Sequence, residues 1–242
     1  MPQRRNPRIL DLTSELVASI ECPLPNRDDE SGKARLSEAE YEHHARALLD
    51  QGPDGPIWLF AYGSLIWNPA FEHDHHVIAT VHGYRRSFCM DLTGWRATPE
   101  QPGLMMALDR GGACTGLAYR LTPGDRQAQM VRLLQREVPF ADGLPWVRWL
   151  NARAKGDTFR ALVFYAAPRV DPGRYLIRLG EAEQADRLAI ACGHMGSCAA
   201  YLMNTVQHLE QAGIHDAYLW RLQGMVADRI RSAPLAAPPA TG

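Results

Sequence analysis

The chain has 242 residues, 46% of them hydrophobic, enough for one domain with a substantial core and an extension. Its 26 basic and 27 acidic residues nearly cancel and no long basic run occurs, which excludes a nucleic-acid footprint and points to a small-molecule partner. Five scattered cysteines without a Cys-x-x-Cys pair fit free thiols in a reducing compartment, and no apolar run approaches the roughly 18 residues of a membrane span.

Arg4, Arg5 and Arg8 come first, but Asp11 and Glu15 interrupt the apolar stretch behind them. A secretory leader does not carry such acids, so the expectation is a cytoplasmic protein. Ile9 to Ile20 has apolar residues at helical spacing, and a polar loop follows from Pro25 to Lys33. Ser37 with Glu40 reads as a capping box that starts a helix, which runs to about Asp50 and stops at Gly52-Pro53.

The apolar run from Ile57 to Ala61 reads as a buried strand that breaks at Tyr62-Gly63-Ser64, where glycine permits a tight turn. A turn after a strand presents consecutive N–H groups, a concavity suited to an anion or a carbonyl oxygen. Further strands are expected at 57–62, 77–90, 104–109, 113–121, 147–154 and 160–166. Gly111-Gly112 reads as a hairpin turn between the third and fourth of these. Thr122 as cap and Pro123 at the first helical position open a helix to about Val138. Helices are then expected over 181–192, 197–212 and 215–231. Residues 1–52 form a helical extension, 53–232 the main domain, and the Pro- and Ala-rich 233–242 a disordered tail. Strands first and helices afterwards argue an α+β fold, with a curved mixed sheet or small β-barrel surrounded by helices.

Glu137 stands out on the helical wheel. Met130, Val131, Leu133, Leu134 and Val138 form an apolar arc with Glu137 inside it, while Gln129, Arg132 and Arg136 fall on the other face. A carboxylate so placed is costly unless it is paired or faces a cavity, and desolvation would tune it toward a general base. The competing reading is a helix-end glutamate that bends out to solvent.

Phe60–Pro69, Gly83-Tyr84-Arg85-Arg86 with Phe88, Gln101-Pro102-Gly103, Gly116 with Ala118–Leu121, Arg136-Glu137, and Gly196 followed by Tyr201-Leu202 occur in an order that resembles the ChaC-like branch of the γ-glutamylcyclotransferases. The resemblance spans most of residues 57–202. It implies that Glu137 is the catalytic acid/base, that Tyr62, Gly63, Ser64 and Leu65 hold the γ-glutamyl group, and that Tyr201 lies on the substrate side. The implied reaction is internal aminolysis of glutathione to 5-oxoproline and cysteinylglycine, and it requires no metal or organic cofactor. Two positions depart from the pattern: Cys198 stands where the family has asparagine, and Leu104 where it has arginine. They bear on recognition of the far end of the substrate. A non-catalytic γ-glutamyl-ligand-binding protein on the same scaffold, or a cyclotransferase for another γ-glutamyl amide, are the alternatives.

Other residues carry plainer readings. His73, His75, His76 and Asp74 lack a metal-ligand spacing and read as a solvated polar loop. Arg85 and Arg86 point to opposite faces of a strand, so at most one faces a carboxylate in the site. Tyr201, with Leu202, Thr205 and Leu209, also suits core packing. Cys198 reads as a small buried filler, and Trp146 and Trp149 as packing residues.

Overall fold

The computed structural model describes residues 9–22, 24–26, 33–69, 71–171 and 175–233. The apolar run becomes β1 (Trp58–Ala61), and its Leu59, Phe60 and Ala61 have no accessible surface. A strand buried on both faces carries such a run without polar alternation. β1 lies antiparallel to β3 (Gly103–Leu121), with Trp58 opposite Arg120 and Ala61 opposite Leu117. β3 pairs with β2 (His73–Leu92), β2 with β4 (Arg148–Ala154), and β4 with β5 (Asp157–Val163). One parallel pair, Leu59 opposite Leu162, closes the barrel in the order β1-β3-β2-β4-β5. The expected α+β fold with a small barrel is therefore correct.

The strand boundaries needed correction. Residues 104–109 and 113–121 belong to one long strand, not a hairpin, because Gly111 and Gly112 take φ +96° and +72° in a bulge opposite Gly83 at φ +85°. That geometry bends the ribbon without ending it, and only glycine adopts it freely. His73–His76 are likewise the first residues of β2 rather than a loop.

The helices α1 (Ser14–Ala18), α2 (Glu38–Gln51), α3 (Arg126–Glu137), α4 (Glu181–Ile190), α5 (Cys198–Gln211) and α6 (Ala217–Ser232) surround the barrel. The Ser37–Glu40 capping box forms as expected. α3 is capped by Asp125 instead of Thr122, its carboxylate accepting from the amides of Gln127 and Ala128. Of the apolar stretch 9–20 only Ser14–Ala18 is helical. α4 ends at Ile190, and Cys192–Gly193 forms β6, paired with β7 (Gly196–Ser197). The segment before α2 lies on the end of α3: the Leu36 amide donates to Pro139 O at 3.2 Å and the Tyr41 hydroxyl to Val138 O at 3.1 Å. Residues 234–242 of the expected tail, and Arg4, Arg5 and Arg8, lie outside the described residues. Among the described residues no helix is long and apolar enough to cross a membrane.

Candidate active site

β1 delivers the chain into Tyr62-Gly63 and a 3₁₀ turn, Ser64–Ile66. Arg86 anchors that exit: its Nε donates to Tyr62 O and its Nη2 to Thr115 O, both at 2.7 Å, and its Nη1 pairs with Asp216 at the N-cap of α6. Each of its three nitrogens is bonded to the scaffold and the side chain is buried, so Arg86 is not the arginine that meets a substrate carboxylate. The Tyr62 hydroxyl donates to Phe164 O at 3.0 Å and Tyr165 O at 3.2 Å, stitching the loop to the end of β5.

Gly63 is required for a reason the turn argument did not supply. Its φ is −139°, open to any residue, but a Cβ there would stand 2.5 Å from the Tyr201 hydroxyl. The Ser64 amide donates to that hydroxyl at 3.2 Å. Of the three loop amides, Ser64 is thus occupied, while those of Gly63 and Leu65 make no hydrogen bond with the described residues.

Glu137 ends α3 behind the buried Met130, Leu133 and Leu134. Its side chain is 13% exposed, so it stays with the apolar arc and does not bend out to solvent. Arg136, assigned to the opposite face by the wheel, curls back so that its Nε lies 3.0 Å from Glu137 Oε1. The same guanidinium donates to Pro69 O and Asn68 O, clipping α3 to the segment that leaves the loop. Burial pushes the Glu137 carboxyl above the ordinary carboxylate range, and the Arg136 charge opposes the shift. Tyr165, at φ +53°, donates its hydroxyl to Glu137 O at 2.5 Å. Burial raises the phenols of Tyr62, Tyr165 and Tyr201, and the Glu137 charge adds to each. The loop, the segment after β5 and α5 therefore each bring a buried tyrosine within electrostatic reach of Glu137.

Tyr201 is set by its neighbours: its ring meets those of Trp67 at 5.8 Å and Phe88 at 6.0 Å, both edge-on. It is a core residue and a loop support at once. Arg96 covers the same ring at 5.7 Å and donates to Ser197 O at 3.3 Å. Burial lowers its pKa, and the Glu21 carboxylate, which stands with it against Gly196, opposes that shift. A half-buried guanidinium over an aromatic ring suits a carboxylate supplied by a ligand, which would compete with Glu21 for it. Sequence reasoning passed over Arg96 because it sits in a loop with no periodicity; its only signal was a lone arginine between Gly94 and Pro99.

The two departures, Leu104 and Cys198, are neighbours. Cys198 Sγ lies 3.6 Å from Leu104 O and 3.3 Å from Arg96 O, and both residues are buried. Burial pushes the Cys198 thiol up to about 11, which fits the filler reading. His73 and His76 pack on the Tyr119 ring, at 4.7 and 5.8 Å, and Asp74 pairs with Arg120. Trp146 is fully buried, and Trp149 donates from Nε1 to Leu48 O at 2.8 Å. A cleft of about 570 Å³ beside Trp149, Asn151 and Arg160 contains neither the loop nor Glu137, so convergent chemistry rather than volume marks the site.

The ChaC-like protein family matches residues 57–229. The chain is 33% identical over 206 residues to the glutathione-specific γ-glutamylcyclotransferase of Escherichia coli K12, covering 85% of this chain and 87% of that one. It is 27% identical over 168 residues to the human glutathione-specific γ-glutamylcyclotransferase 1, covering 68% and 74%. A crystal structure of the yeast γ-glutamylcyclotransferase specific to glutathione superposes with a TM-score of 0.64 at 21% identity, covering 73% of this chain and 97% of that one, a likeness of fold.

Proposed function

Because the chain belongs to the ChaC-like protein family, we propose that it is a γ-glutamylcyclotransferase that converts glutathione to 5-oxoproline and cysteinylglycine. The observation that carries the reading is Glu137, a largely buried carboxylate within electrostatic reach of Tyr62 at the start of the loop and of Tyr201 that supports it.

The α-amino group of the γ-glutamyl unit attacks its own side-chain carbonyl. A carbon–nitrogen bond forms to close a five-membered lactam, and the bond to the cysteinyl nitrogen breaks. Both reacting groups belong to one molecule, so the enzyme's task is to hold a folded conformer and move a proton. Glu137 takes the proton from the attacking nitrogen and returns it to the leaving one. Its raised pKa suits both roles near neutral pH. The Gly63 and Leu65 amides suit the developing oxyanion, and Ser64 does not, its amide being held by Tyr201. Arg96 suits a substrate carboxylate. The near-zero net charge and free thiols support a small-molecule enzyme of a reducing cytoplasm.

Incubation with glutathione, read by mass spectrometry, tests the reading. Wild-type protein is expected to yield 5-oxoproline and cysteinylglycine, and Glu137→Gln neither while folding normally. Product from the folded variant would remove Glu137 from its role. Silence of the wild type on glutathione and on other γ-glutamyl compounds would leave a binding protein.

A further inference from the structure

Two thiols outside the site meet across the fold. Cys22 follows α1, and Cys192 begins β6, the short strand that turns into α5. The Cys22 amide donates to Cys192 Sγ at 3.2 Å, and that sulfur lies 3.6 Å from Cys22 O. One sulfur so close to both main-chain polar atoms of the other cysteine is within the reach of a disulfide, whose Cα atoms lie roughly 4.4–6.8 Å apart. Cys22 is partly exposed and Cys192 is buried. An outer thiol open to a small reagent, with an inner thiol behind it, has the layout of an attacking and a resolving cysteine.

We propose that Cys22 and Cys192 are a modification site: they form a reversible disulfide by exchange with a low-molecular-weight disulfide such as glutathione disulfide, fastening the N-terminal segment to the turn that leads into α5. The Cys22 thiolate attacks one sulfur of the reagent, breaks its S–S bond and releases one thiolate. The Cys192 thiolate then attacks Cys22 Sγ, breaks the mixed disulfide and releases the second. The protons of the two cysteines pass to the two leaving thiolates, so one disulfide is reduced and two cysteines are oxidised. The chemistry is independent of whether the chain cyclises glutathione. Burial and the Cys192 thiol push Cys22 up to about 11, so the exchange is slow at neutrality and gains about tenfold per pH unit below that value.

The test treats the full, reduced chain with glutathione disulfide and, separately, with bis(2-hydroxyethyl) disulfide, then alkylates free thiols and maps peptides. Both reagents are expected to give the Cys22–Cys192 cross-link with Cys198 still free, and Cys22→Ser to give none. The oxidised protein is expected to melt roughly 5–10 °C higher. A Cys192–Cys198 bond, a Cys22 mixed disulfide that goes no further, or free thiols surviving at alkaline pH would overturn the proposal. A cross-linked protein that melts with the reduced one would overturn the fastening.

Discussion

Glu137 must be ionised to act as a base, in surroundings that disfavour its charge. Its folded pKa lies above the unfolded one, so the proton binds more tightly to the folded chain. The stability this contributes is full below the ordinary carboxylate value and is lost as pH rises through the raised folded value. Glu137→Gln is therefore expected to stabilise the protein by ~0.5–2 kcal/mol at alkaline pH and to leave it unchanged at acid pH, read from melting curves at both ends. Equal curves throughout would mean that Arg136 cancels the burial. Activity runs the other way: kcat/KM is expected to fall with decreasing pH as one proton binds through the raised value. Gly63 gives a second residue-scale prediction. Gly63→Ala is expected to cost about 1–3 kcal/mol through the clash with the Tyr201 hydroxyl. Adding Tyr201→Phe leaves Met106 Sδ, at 3.6 Å, as the next contact and is expected to recover more than half of that loss in urea titration.

At the scale of elements, α2 acts through α3. Its capping box sets where it starts, and its Tyr41 hydroxyl holds the Val138 carbonyl immediately after Glu137. Ser37→Ala is expected to cost about 1 kcal/mol. Tyr41→Phe should cost ~0.5–1.5 kcal/mol and lower kcat several-fold with KM nearly unchanged, in denaturation and steady-state assays. An unchanged kcat would limit α2 to stability. The capping box was legible because both partners lie three residues apart. The end of α3 was legible because an acid in an apolar arc breaks the pattern. The Gly111-Gly112 bulge was misread as a hairpin because turn chemistry is local, while the partner that keeps the ribbon running, Gly83, is remote in sequence. Asp125 displaced Thr122 as cap: both residue types are good caps, and the helix starts at Arg126, where the Asp125 carboxylate meets the first free amides.

For the whole molecule, Arg86 is the tie that no local pattern announces. It joins the end of β1, a β3 carbonyl and the N-cap of α6, and Asp216 lies 130 residues away. Arg86→Ala is expected to cost about 2–4 kcal/mol, because it leaves the Tyr62 and Thr115 carbonyls without their donor and removes the partner of the partly exposed Asp216. A loss under 1 kcal/mol in guanidinium unfolding would show that water replaces it. The sequence could mark Arg85-Arg86 as a pair on opposite faces, but only the fold shows that the inner one is consumed by structure and that Arg96 covers the Tyr201 ring. The barrel's closure has a dynamic consequence. A ring joined by a single parallel pair, Leu59 to Leu162, is weakest at that joint by pairing, and amides of β1 and β5 are expected to exchange with solvent deuterium faster than those of the long β2–β3 ribbon. Both strands run straight on, one into the loop and the other into Tyr165, whose hydroxyl meets the Glu137 carbonyl, so a ligand bridging the two is expected to slow exchange at the joint.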